Sequence, residues 1–428
     1  MRISGTDQPE QSRFGANTSS PFYGGWITSI MKKSMKFEFR NPTQLVFGAG
    51  TLSRLGEIVR THGTKALLVT GGGSVRRNGT LERATASLKA AGVPVAECSG
   101  VEPNPRLSTV MRGSEMARSE KCDVVVALGG GSTMDAAKIM AAGVFYEGDP
   151  WMMMAGQENR RIPEKALPVV TVPTLAATGS EMNGGAVITN EKTTVKSFVT
   201  ARCLYPRAAI VDPELTVSVP PDQTAFGICD LITHVTESYF NGVDGTPLQD
   251  RFAEGVILTA MEWGPNAVAD GQDIEARTQV QWASVVALNG WVQTGTASPY
   301  PVHMIEHSLS AHHDIAHGAG LAVVSPAWMR FAARTRTARF VRFAERIFRL
   351  PLKHPEDAKA ATEGIDRFEA FLRSIGCPTR LSEVGIGDAL LLRYAHDTVL
   401  VSHDAEGRLP GRPPMSETDI VEVLRSAL

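Results

Sequence analysis

The rhythm of hydrophobic and polar positions changes once along this chain. Between residues 36 and 218, short apolar runs recur: ALLVT at 66–70, VPVAEC at 93–98, DVVVAL at 123–128 and LPVVTVPT at 167–174. Segments of helical spacing separate them, at about 78–91, 108–120 and 133–146. KFEFRNP, from Lys36, opens the region with a strand-like alternation. Continuous β-branched runs between helices predict a parallel sheet covered on both faces. After Val219-Pro220-Pro221 the apolar residues fall three and four apart instead. QTAFGICDLITHVTESYF, LQDRFAEGVILTAMEWGPNAV, TARFVRFAERIFRL, GIDRFEAFLRSIG and SETDIVEVLRSAL all read as helices. The pattern therefore predicts an α/β domain with a parallel sheet over 35–218 and an all-α domain over 219–428.

Residues 1–34 fit neither half. They are rich in Ser, Gly and Thr, lack periodicity and carry no apolar secretory core. We expect a disordered or extraneous extension, with Met31 or Met35 as the natural start. The remaining chain is long enough for a large core, at 428 residues and 43% hydrophobic overall. A net charge of −2 argues against a nucleic-acid or membrane-surface binder driven by bulk charge. Five scattered cysteines with no CxxC pair read as free thiols, and so as a cytoplasmic protein.

The chemistry begins at Asp230 and His234, four apart on a helix and hence on one face. His303 and His317 could complete four-coordination around a divalent metal. Three imidazoles and a carboxylate suit Fe²⁺ or Zn²⁺ better than Mg²⁺ or Ca²⁺. A set without thiolate points to a catalytic rather than a structural ion.

Two glycine-rich turns follow strands, Gly71-Gly72-Gly73-Ser74 and Gly129-Gly130-Gly131-Ser132. Neither fits GxGxxG. Glycine lets backbone N–H groups approach a phosphate at a helix start, and Asp135 and Lys138 add polar context to the second turn. Beside the first turn lie Arg76 and Arg77, with no acidic residue next in sequence to bind a ribose hydroxyl. That chemistry suits the 2′-phosphate of NADP(H), with NAD(H) possible. Thr174, Thr178, Ser180 and Asn183 crowd after the fourth apolar run, where α/β sheets bind ligands. His303-Met-Ile-Glu306-His307 also fits HxxEH, the pattern of a zinc peptidase whose base would be Glu306. That reading explains neither glycine turn. Trp291, Tyr300 and Met304 are candidates for an apolar substrate pocket.

Taken together, NPTQLVFGAG at 41–50, GVEPNP at 100–105, ALGGGSTMDAAK at 127–138, TLAATGSEMN at 174–183, GICDLITHVTE at 227–237 and HMIEHSLSAHHDIAHG at 303–318 resemble the iron-containing (group III) alcohol dehydrogenase family. VTGGGSVRRNG at 69–79 is similar to its butanol dehydrogenase and NADPH-dependent aldehyde reductase branch. The resemblance implies a dehydroquinate synthase-like plan: a dinucleotide-binding α/β domain, a helical domain, and a metal in the cleft between them. It implies metal ligation by Asp230, His234, His303 and His317. It places the cofactor on Gly72, Gly73, Ser74, Asn104, Gly130, Gly131, Ser132, Asp135, Thr174, Thr178, Asn183, Lys196, Leu215 and Ser218. It sets His307 against the nicotinamide and substrate, as a candidate proton relay. The implied reaction moves a hydride between NADP(H) and a small aliphatic alcohol or aldehyde, in a homodimer. A metal- and NAD-dependent lyase of the dehydroquinate synthase type is the alternative.

Overall fold

The apolar runs pair into one parallel sheet. The structure, a computed structural model, describes residues 36–354 and 357–428. The expectations about residues 1–34 and the starting methionine lie outside the described residues.

The sheet contains β1 (Gln44–Phe47), β2 (Ala66–Gly71), β3 (Val95–Val101), β4 (Val124–Gly129), β5 (Val169–Pro173) and β8 (Ala208–Val211), in the order β1-β8-β5-β4-β2-β3. Every pairing in it is parallel. An antiparallel hairpin, β6 (Gly185–Asn190) and β7 (Val195–Thr200), stands apart from it. Helices α1 (Leu55–Arg60), α2 (Ser74–Arg77), α3 (Thr80–Ala90), α4 (Leu107–Ser119) and α5 (Gly131–Gly143) fill the connections. Alternate residues of each strand serve opposite faces: Leu68 and Val126 pack with the α1 and α3 side chains, Leu67 and Val125 with those of α4 and α5. Burial on both faces is why these strands read as unbroken apolar runs.

From β2 the chain crosses to β3 on one side, and from β4 to β5 on the other. The C-terminal ends of β2 and β4, adjacent in the sheet, therefore flank a topological switch point, where ligands of open α/β sheets bind. Both glycine-rich turns sit there.

The helical region runs α6 (Pro221–Asn241), α7 (Pro247–Ala269), α8 (Ile274–Ala287), α9 (Pro301–His313), α10 (His317–Phe348), α11 (Ala358–Ser374), α12 (Leu391–Val401) and α13 (Glu417–Ser426). Proline at the first turn of α6, α7 and α9 suits positions whose N–H has no helical partner. Helix α6 is almost wholly buried from Gly227 onward. Ile228, Leu231, Ile232 and Val235 are each 0% exposed, and each such burial contributes roughly 2 kcal/mol. The side chains between them are thereby held in place. No described helix is long and apolar enough to cross a membrane.

Some local expectations change. Residues 36–43 form no strand, and pairing starts only at Gln44. Asn41 pins this segment by donating to the carbonyls of Met182 and Asn289. The β6–β7 hairpin and helices α8, α9 and α12 were not foreseen. The helix expected at 337–350 follows a kink at Arg336 (φ −120°, ψ 34°) within α10 and ends at Phe348.

Where the two regions meet, backbone lies on backbone. A Cβ on Gly227 of α6 would come 2.2 Å from the carbonyl oxygen of Ala176, in the loop after β5.

Candidate metal and cofactor site

Helix α6 supplies Asp230 and His234, α9 supplies His303 and His307, and the first residue of α10 is His317. Asp230 Oδ1 is the hub. It lies 3.3 Å from His234 Nδ1, 3.5 Å from His303 Nε2 and 4.0 Å from His317 Nε2. Asp230, His303 and His317 offer ligand atoms all within 4.8 Å of one another. The His234 ring lies beside them, its centroid 4.4 Å from that of His303. Asp230 Oδ1, His234 Nδ1 and His303 Nε2 are buried with no hydrogen-bond partner. Such atoms cost roughly 1–3 kcal/mol each if left so. A divalent cation held by Asp230, His303 and His317 would meet the unpartnered oxygen of Asp230 and nitrogen of His303, so the donor set fits a metal, with His234 standing outside that close group of three.

Two carboxylates behind the imidazoles fix their direction. Glu237 bonds His303 Nδ1 and also accepts from the backbone N–H of Val302 at 2.6 Å. Glu306 bonds His317 Nδ1. Each leaves the opposite nitrogen, Nε2, turned toward Asp230. Carboxylates in this place orient metal-binding histidines and raise their basicity.

The electrostatics agree with cation binding. Burial opposes charge on Asp230, but His234, His303 and His317 outweigh it and hold the carboxyl well below the usual range. Burial, with the neighbouring imidazoles, takes His234 down to about 3, so it is a neutral base at pH 7. His303 feels the same burial, yet Glu237 and Asp230 raise it to about 9. Between those two anions either a proton or a metal cation must sit.

These groups lie beside a cleft of about 470 Å³. Of the residues expected from the sequence, Gly131, Ser132, Asp135, Thr178, Asn183, Lys196, His234, His303, His307 and His317 line it. Gly131 starts α5 against Thr178: a Cβ there would lie 2.4 Å from Thr178 Cγ2. Tyr300 and Met304 line the cleft with Leu288, Pro299 and Phe198, giving it apolar walls. Trp291 does not line it; its ring packs edge-on to Phe39 at 5.0 Å.

Other expected residues lie elsewhere. Gly72, Gly73 and Ser74 form the turn after β2, and Gly72 has open space around it. Gly130 is the N-cap of α5. The Thr174 N–H bonds the Gly129 carbonyl, tying the turns after β4 and β5 together. Leu215 is buried in the sheet core, and Ser218 accepts a bond from Asn78 at 2.8 Å.

Several polar residues prove to be internal struts. Lys138 is fully buried and donates to Ser180 Oγ, Asn183 Oδ1 and the Gly185 carbonyl. It therefore does not serve the phosphate turn, as its closeness in sequence suggested. Asp135 accepts from Ser180 at 2.6 Å and from the Val187 N–H at 2.9 Å. Lys196 donates to Asn104 Oδ1 and Ser310 Oγ and stands 3.7 Å from Glu306. Asn104 in turn donates to Asp314. An acidic residue also stands near the first glycine turn after all, because Arg76 pairs with Glu97 of β3.

The HxxEH reading fails on geometry. Glu306 is 0% exposed and holds His317, so it cannot reach a water in the cleft. The sequence reading missed Glu237, although it lies seven residues after Asp230 on the same face of α6.

The chain is similar to known proteins over most of its length. Residues 42–213 match the family model of iron-containing alcohol dehydrogenase, and residues 224–428 match the C-terminal model of the Fe-containing alcohol dehydrogenase family. The chain is 40% identical to a probable NADH-dependent butanol dehydrogenase of Bacillus subtilis, over 92% of this chain and 99% of that protein. It is 35% identical to the NADPH-dependent aldehyde reductase YqhD of Escherichia coli, over 82% and 89%. The crystal structure of NADH-dependent butanol dehydrogenase A from Thermotoga maritima superposes with a TM-score of 0.87, at 40% identity, covering 92% of this chain and 98% of that one.

Proposed function

Since the chain belongs to the iron-containing alcohol dehydrogenase family, a family of NAD(P)-dependent oxidoreductases, we propose that it transfers a hydride between NADP(H) and a small aliphatic alcohol or aldehyde. The observation that carries this reading is the set of unpartnered buried atoms, Asp230 Oδ1, His234 Nδ1 and His303 Nε2, beside an apolar cleft that begins at the α5 glycine turn. Asp230, His234, His303 and His317 would hold one Fe²⁺ or Zn²⁺, which both suit this donor set. When bound, the metal supplies a Lewis acid for the substrate oxygen and the nicotinamide supplies the hydride.

The chain's own residues do the rest. Gly130, Gly131 and Ser132 offer a helix start to the pyrophosphate. Tyr300, Met304, Leu288 and Phe198 exclude water and favour an aliphatic chain over a charged one. His307 faces the cleft and is held neutral, burial pushing its pKa well below the ordinary value with help from Lys196. It is the proton donor to the substrate oxygen in reduction and the acceptor in oxidation. Arg77 and Ser74 are the groups free to meet a 2′-phosphate, Arg76 being tied to Glu97. The Bacillus and Thermotoga relatives are named for NADH and the Escherichia one for NADPH, so both nucleotides belong in the test.

That test mixes protein loaded with Zn²⁺, or anaerobically with Fe²⁺, with butanal and each reduced nucleotide. Metal-dependent nucleotide oxidation, faster with NADPH, is expected. Faster oxidation of NADH overturns the nucleotide assignment alone. No oxidation across a panel of aldehydes and ketones overturns the reading.

A further inference from the structure

Beside the His307 imidazole lies a second, much smaller cavity. It offers about 10 Å³ to the centre of a water molecule, about the room one water needs. Lys196, Met304, His307, Ser308, Asp397 and Val401 form its walls. His307 borders the large cleft too, as do Lys196 and Met304, so these three side chains separate the two spaces. Two of these wall residues carry a buried atom without a partner, His307 Nδ1 and Asp397 Oδ1. Neither lies within reach of a direct bond to the other, and each leaves a donor or acceptor unmet inside the protein. A small cavity lined by two residues with unmet polar atoms is a place for water.

The far oxygen of Asp397 leads outward. Asp397 Oδ2 meets His312 Nε2 at 2.8 Å and Arg393 Nε at 2.9 Å. The His312 side chain is 15% exposed, against 3% for Asp397. The charged and titratable groups around Asp397 are therefore Arg393 on its own helix, His312 and His307 from α9, and Lys196 from β7. The Lys196 ammonium is engaged with Asn104, Ser310 and Glu306 instead.

We propose that a water in this cavity joins His307 to Asp397, and that Asp397 and His312 carry protons between that water and solvent. The inference rests on the oxidoreductase reading above. In reduction, hydride adds to the carbonyl carbon and the oxygen needs one proton. His307 releases the proton of its cleft-side nitrogen to that oxygen and gains one at Nδ1 from the water. The water regains its proton through Asp397 from His312, and His312 from solvent. The proton count of the protein is unchanged, but His307 is left as its Nδ1–H tautomer, and a half-turn of the ring restores the starting form before the next cycle; oxidation runs the same path backward. Asp397 and His312 touch neither substrate nor cofactor; they are positioning and relay groups.

Asp397→Asn keeps the shape but cannot pass a proton. We expect its kcat with aldehyde to fall about tenfold or more, with KM and metal content unchanged and a larger solvent deuterium isotope effect. His312→Ala should behave alike and recover part of its rate with added imidazole. If the wild type turns over and both variants match it in kcat and isotope effect, the path is wrong. A loss of rate with no change in isotope effect and no rescue marks a structural role and overturns it equally. A crystal structure of the metal-loaded protein supplies a readout free of activity: a water bonded to both His307 Nδ1 and Asp397 Oδ1 is expected, and a dry cavity refutes the proposal. An inactive wild type with the water present would instead sink the oxidoreductase reading.

Discussion

Glu306 grips Nδ1 of His317 and so aims the opposite nitrogen at Asp230. The same carboxylate stands 3.7 Å from Lys196, and the Lys196 ammonium balances its charge. Removing it frees the His317 ring, the most exposed of the four proposed ligands at 24%. Glu306→Ala is expected to weaken metal affinity about 10–100-fold. Competition with a chelator, read by metal analysis, measures this. Affinity equal to the wild type's would show that packing alone holds the ring.

Metal removal should cost stability, because the unpartnered Asp230, His234 and His303 atoms exist only in the folded chain. At a free metal concentration about 100 times Kd, the gain is about 2.7 kcal/mol. Chelation should lower Tm, and Asp230→Asn should abolish the difference between metal-loaded and chelated samples. A Tm indifferent to chelator in protein shown to hold metal would contradict the proposed ligand set.

Burial raises Glu181 to about 7, against a backbone bond and the charge of Lys138, and leaves its Oε1 without a partner. Between pH 4.5 and 7 the folded chain then holds a proton at Glu181 that the unfolded chain has lost. Stability from this group is complete below about pH 4.5 and declines as pH rises to about 7. The decline should be about 1–3 kcal/mol, and Glu181→Gln should remove it. Denaturant titrations of both proteins at several pH values decide the matter; parallel curves would refute it.

The Gly131 site makes a paired test. Gly131→Ala would drive a methyl into Thr178, with 2.4 Å to Cγ2 and 2.6 Å to Oγ1. The expected result is a KM for the nucleotide raised about tenfold or more, partly restored by Thr178→Ala in the same chain. Strict additivity of the two changes would mean that the glycine serves something other than this close approach.

Nucleotide choice should respond to Glu97. Glu97→Gln releases Arg76, which now pairs with it, and should shift the kcat/KM ratio several-fold toward NADPH. An unchanged ratio would place the 2′-phosphate away from Arg76.

Much of this was legible in the sequence, for physical reasons. Strands buried on both faces must be apolar throughout, so β2, β4 and β5 stood out. The β6–β7 hairpin did not, because its apolar residues are interspersed with Gly, Thr, Lys and Ser. KFEFRNP alternates as a strand would, but its Asn41 is bonded to carbonyls from two distant loops, and alternation records no such contact. Asp230 and His234 declared themselves by helical spacing. Glu237 and Glu306 did not, since sequence cannot tell which imidazole nitrogen needs an acceptor. Lys138 misled because it follows a glycine turn closely, whereas the helix carries it two turns on, to face Ser180 and Asn183.

The contact of Gly227 with the Ala176 carbonyl has a last consequence. At this point main chain meets main chain, fixing a close approach between the helix bearing Asp230 and His234 and the loop that leads to Thr178. A cleft residue such as Met304 can change in size and polarity, retuning which substrate fits, without touching that contact. The fit of the substrate and the spacing of helix and loop are thus carried by different atoms, and either can be altered in the laboratory with the other left as it stands.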